Sequence, residues 1–105
     1  MHKQSRQGDV FVQRTDLTAI PNGAEKVKPD NKRVILAYGE VTGHAHAIPA
    51  SLATMYRWQG DTLVEVNRET AMTHEEHSPI PLEPGIYKVT RQMEYHPEEL
   101  RYVAD

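Results

Sequence analysis

Residues 52–66 read LATMYRWQGDTLVEV. Apolar and polar side chains alternate through Leu52–Trp58 and resume in TLVEV, with Leu63 and Val64 on opposite faces. Gly60 and Asp61 between the two runs supply a turn. This spacing predicts a β-hairpin from about Leu52 to Val66. The same period recurs on both sides of it. Val10 and Val12 alternate with Phe11 and Gln13 behind the turn-forming Gly8–Asp9 pair, and RVILAY (33–38) has the near-continuous apolar character of a buried strand. In GIYKVTRQMEY (85–95), Ile86, Lys88, Thr90 and Gln92 alternate with Tyr87, Val89, Arg91 and Met93.

No segment sustains a helical period, and Gly and Pro signals separate the short strands. The expected fold class is therefore all-β, a small single-domain barrel or sandwich spanning residues 1–105, with residues 1–7 frayed. Residues 15–32 read as a long connection, because they hold a Pro21-Asn22-Gly23 turn signal and a second polar cluster at Pro29, Asp30 and Asn31. HEEHSPIPLEPG (74–85) carries three prolines and is expected to be a loop or short helical turn leading into extended chain. Pro97 and Glu98 suggest a helical turn, and RYVAD (101–105) a last short strand.

The chain has 105 residues, 38% hydrophobic and 26% charged, which suits one modest core. Its net charge of −3 gives no general pull toward phosphate backbones, so nucleic acid is not the expected partner. Cysteine is absent, which excludes disulfides, thiolate nucleophiles and thiolate metal sites and leaves His, Asp and Glu as the only strong ligands. No secretory signal or run of ~20 apolar residues is present, and a cytoplasmic location without membrane contact is the simplest expectation.

Four of the six histidines fall in two clusters. In an extended chain His44 and His46 project to one face, beside the small Gly43, Ala45 and Ala47. His74 and His77, three apart, would share one side of a single helical turn, with Glu75 and Glu76 adjacent. Four imidazoles and two carboxylates match the donors of a divalent metal, zinc first among them. A catalytic zinc keeps an open position for a water whose pKa falls to ~7.

The leading expectation is thus a metal-dependent hydrolase of a small or phosphorylated substrate, with His44, His46, His74 and His77 as ligands and Glu75 or Glu76 as base. One alternative is a protein- or nucleotide-binding β module with structural histidines. Another is a metal-independent phosphoesterase using paired histidines as acid and base. His96 is a further candidate ligand, with a polar strand end the plainer reading. Tyr87, Arg91 and Tyr95 share a strand face that would meet an anionic substrate, with an ordinary packed or solvated face as the plainer reading.

EVTGHAHAI (40–48), THEEHSPIPLEPGIYKVTRQMEY (73–95) and RYVAD resemble small bacterial and bacteriophage proteins of uncharacterised function, from QGDV (7–10) onward. That resemblance implies a free-standing domain and supplies no activity. A second, weaker similarity is to cupins, small β-barrels in which a His-x-His pair binds metal with a later Glu and His. Gly43, His44 and His46 match the start of that pattern, and Pro84 and Gly85 its later turn. No Glu follows His46 at the cupin spacing, and His77 precedes the proline-glycine turn instead of following it. The likeness therefore implies architecture rather than activity.

Overall fold

A computed structural model describes residues 4–38 and 44–91. Ten strands carry them: β1 (Gln4–Gln7), β2 (Val10–Arg14), β3 (Glu25–Val27), β4 (Arg33–Tyr38), β5 (Ala45–Pro49), β6 (Ala53–Trp58), β7 (Asp61–Val66), β8 (Thr70–His74), β9 (His77–Leu82) and β10 (Gly85–Arg91). Every pairing between strands is antiparallel. They build a six-stranded sheet ordered β1-β2-β10-β7-β6-β3 and a four-stranded sheet ordered β4-β5-β8-β9. The all-β class stands. Among the described residues no ladder joins the two sheets, so they are layers rather than one closed barrel. Among those residues, too, no helix is long and apolar enough to cross a membrane.

One core draws on both sheets. Val10, Val12, Val64, Val66 and Tyr87 come from the larger sheet, and Val34, Ile48, Met72 and Leu82 from the smaller. Strand alternation explains the choice: Val10 and Val12 are buried while Phe11 between them is only half covered. The β6–β7 hairpin runs in register from Ala53 opposite Val66 to Trp58 opposite Asp61. Its turn residues are Gln59 and Gly60, both left-handed with φ of 49° and 80°. Two left-handed residues give the twist that suits a tight hairpin. The turn therefore sits one residue earlier than the Gly60–Asp61 pair suggests, and Asp61 opens β7.

Three other expectations change. Residues 4–7 are not a frayed end: they form β1, which pairs along β2 through the Gly8–Asp9 turn. The 15–32 connection contains β3, a three-residue edge strand on β6. Of the two alternatives for residues 74–85, the helical turn falls away and the loop leading into extended chain stands: β8 and β9 form a hairpin around Glu75 and Glu76. Pro79 and Pro81 lie inside β9, which is tolerated because β9 is at the edge of its sheet. The expected strand beyond Arg91, the turn at Pro97–Glu98 and the strand RYVAD lie outside the described residues.

Candidate metal centre

Three chain segments converge where β1 and β9 approach each other: the Gly8–Asp9 turn, the start of β5 and the Glu75–Glu76 turn. His44 directly precedes β5 and His46 is its second residue. His74 ends β8, His77 begins β9, and the two are opposite one another in register across the turn. The two histidine pairs meet. The His74 ring lies 5.8 Å from His44, 4.4 Å from His46 and 4.7 Å from His77, centroid to centroid, and His46 stacks on His77 at 5.8 Å. His74 is the hub of the group.

One donor set is tighter than the rest. Ligand atoms of His44, His74 and Glu75 all lie within 4.8 Å of one another. Nδ1 of His44 is buried and has no hydrogen-bond partner among the described residues. Its closest charged neighbour is the Glu76 carboxylate, with Oε2 at 3.7 Å. Buried polar atoms are nearly always paired, so an unpaired one calls for an explanation, whether local strain, a chemical role or a bound water or ion. Two imidazoles and a carboxylate form a donor set suited to zinc. A tetrahedral ion would draw such atoms to about 3.3 Å apart, a modest contraction. Glu75 is already fixed, since its Oε1 accepts the amide hydrogen of Ala45 at 2.9 Å. That hydrogen bond holds the Glu75 carboxyl below its ordinary pKa, so it is an anion at neutral pH.

His46 is held differently. It is only 3% exposed, and its Nδ1 lies 2.8 Å from Oε1 of Gln7. The Gln7 amide nitrogen donates to the carbonyls of Met72 (3.0 Å) and Ser78 (2.8 Å). Both amide hydrogens are thereby used, so Oε1 can only accept and Nδ1 of His46 must carry the proton. Its Nε2 therefore bears the lone pair and faces Asp9, 3.7 Å from Oδ1. Burial and the neighbouring His74 hold the His46 pKa below its ordinary value, against the pull of Asp9. Asp9 itself is partly desolvated, but Arg91 outweighs this through a 2.6 Å hydrogen bond and its charge and keeps the carboxyl pKa low. His74 has the opposite tautomer: its Nδ1 accepts the Glu76 amide hydrogen at 3.0 Å, which leaves the proton of the neutral ring on Nε2.

Gly8 completes the wall. Its φ is +58°, and a Cβ there would stand 2.8 Å from Nε2 of His77 and 3.4 Å from Cε1 of His46. Glycine is required both for the left-handed turn and for the close approach of the ring. Gln7 and Gly8 are site residues that the pattern of the sequence does not reveal, because a glutamine in a strand before a Gly-Asp turn carries no chemical signature. Of the strand face expected to meet an anion, Tyr87 is buried in the core, Arg91 reaches the site through Asp9, and Tyr95, like His96, lies outside the described residues.

A domain family described as Domain of unknown function (DUF8820) matches residues 6–92. No curated protein and no solved structure matches the chain.

Proposed function

The chain belongs to that family, and from the geometry of the histidine cluster we propose that it is a small metal-binding protein acting as a metal-dependent hydrolase. His44, His74 and Glu75 hold one divalent ion, zinc by preference. The observation that carries this reading is the convergence of their ligand atoms within 4.8 Å of one another, and the buried Nδ1 of His44, without a hydrogen-bond partner among the described residues, supports it. A zinc ion held by these three residues would supply Lewis-acid chemistry, activating water as nucleophile and polarising the bond to be broken. Glu75, one of two acids expected to act as base, is better placed as a ligand. Proton transfer falls to Glu76, beside His44, and to the lone pair of His46 Nε2.

The test is elemental analysis of the purified chain after equilibration with zinc. One ion per chain is expected, falling to none in His74→Ala; an unchanged zinc content in that variant would overturn the reading.

A second reading is favoured by the tautomers. His46 bears its lone pair on Nε2 and can act as base, while His74, its ring centroid 4.4 Å away, would act as acid once a proton displaces the Glu76 amide from its Nδ1, so the pair needs no metal. Phosphoester cleavage that persists in chelator and disappears in His46→Ala would select this mechanism over the first.

A further inference from the structure

Arg91 ends β10 opposite Val10 of β2. Cross-strand partners share a face, and Val10 is wholly buried, so Arg91 rises from the inner face at the end of the sheet nearest the histidines. Its Nε donates to Oδ2 of Asp9 at 2.6 Å, while the other oxygen of that carboxylate stands 3.7 Å from His46 Nε2. The guanidinium is thus one carboxylate away from the cluster. The side chain is 52% exposed. Only Nε is engaged by Asp9, which leaves the Nη edge as a rigid pair of donors without a partner among the described residues. Arg6 gives the contrast. It is anchored to the same turn, Nε to the Gly8 carbonyl at 3.0 Å, but is paired with Phe11 and so belongs to the outer face.

We infer that Arg91 is the specificity-determining residue of this site and that the substrate carries a phosphate group, bound by the Nη edge of Arg91 beside the histidine cluster. The inference rests on the hydrolase reading above and deepens it. Among the small anions an arginine fork binds well, a phosphoryl group suits this place best. Its three terminal oxygens can meet the fork and the cluster together, whereas the two oxygens of a carboxylate are consumed by the fork alone. Asp9 holds the guanidinium in position before the anion arrives, which lowers the ordering cost of binding.

The experiment is a calorimetric titration of the full chain with inorganic phosphate, and with acetate for comparison, in zinc-loaded and zinc-free protein. Phosphate should bind more tightly than acetate. Arg91→Gln should weaken phosphate binding at least tenfold, Arg91→Lys should recover part of it as a point charge, and Arg6→Gln should leave it unchanged. Zinc content should be the same in all four proteins. Equal phosphate affinity in wild type and Arg91→Gln, equal loss in Arg6→Gln, or no preference over acetate would overturn the inference. If the chain takes up no zinc, the metal reading fails on its own. The zinc-free titration then still decides the role of Arg91, by whether its loss abolishes phosphate binding.

Discussion

Gln7 and His46 fix each other across the seam between the two sheets. Gln7 spends both amide hydrogens on the carbonyls of Met72 and Ser78, so its oxygen has no choice but to accept from Nδ1 of His46. A residue of β1 thereby clamps β8 and β9 and sets the tautomer of a catalytic candidate on β5. Structure and chemistry are coupled at one side chain.

Replacing Gln7 separates the parts of that clamp. Gln7→Met keeps the volume and strands two carbonyls and one ring N–H, at about 3 kcal/mol or more given ~1–3 kcal/mol for each buried group left unpaired. Gln7→Glu is nearly isosteric but turns an acceptor-only carboxylate toward two carbonyl oxygens, so it should cost more. Urea midpoints near pH 7 should fall in the order wild type, Gln7→Met, Gln7→Glu; a glutamate variant as stable as wild type would contradict the assigned amide orientation.

Gly8→Ala adds a methyl group 2.8 Å from Nε2 of His77 at a residue with φ of +58°. The backbone alone costs about 1–2 kcal/mol for a residue with a Cβ, and the collision adds to it by pushing His77 off its stack with His46. Combining it with His77→Ala removes the collision and leaves the backbone strain. The double variant should therefore lose less stability than the two single changes summed, a coupling read directly from a double-mutant cycle.

How much of this was legible follows from what each residue must do locally. The β6–β7 hairpin could be read because alternation and a glycine turn are local properties. β9 could be read as extended chain but not as a paired strand, since Pro79 and Pro81 are breakers in most strands and are acceptable only at a sheet edge, which is a fact of topology. The histidines were legible as donors by type and spacing. That His74 reaches His44, His46 and His77 depends on which strands lie side by side. The hairpin turn, not a helical one, presents Glu75 to His44. Gln7 was silent because its role is defined wholly by partners about 40 to 70 positions away.

Tyr87 supplies a pH-dependent test of the core. Burial raises its phenol pKa above the ordinary value, and its hydroxyl donates to the Glu83 carbonyl at 2.7 Å. A group whose folded pKa is raised contributes stability that is complete below its unfolded pKa, about 10, and is lost as pH rises through the folded value. Tyr87→Phe should be less stable than wild type at pH 8 by about 1 kcal/mol for the lost hydrogen bond. At pH 11 the difference should shrink or reverse, because only wild type then meets the cost of ionising a buried phenol. Parallel stability curves across that range would refute the assignment.

Metal binding at His74 should break one identifiable hydrogen bond. The neutral ring has a single lone pair, and in this conformation Nδ1 directs it at the Glu76 amide 3.0 Å away. An ion bound at Nδ1 displaces that amide. An ion bound at Nε2 forces the proton onto Nδ1, where it faces the Glu76 N–H donor to donor. Both routes release the amide and reorganise the Glu75–Glu76 turn. Titration of labelled protein with zinc should therefore shift the Glu76 amide resonance and speed its hydrogen exchange, with saturation at one ion per chain. The amides of the β6–β7 hairpin, whose strands lie in the other sheet, should be unaffected. If zinc binds stoichiometrically while the Glu76 amide keeps its shift and protection, His74 is not a ligand, and the ion must be held by other members of the cluster.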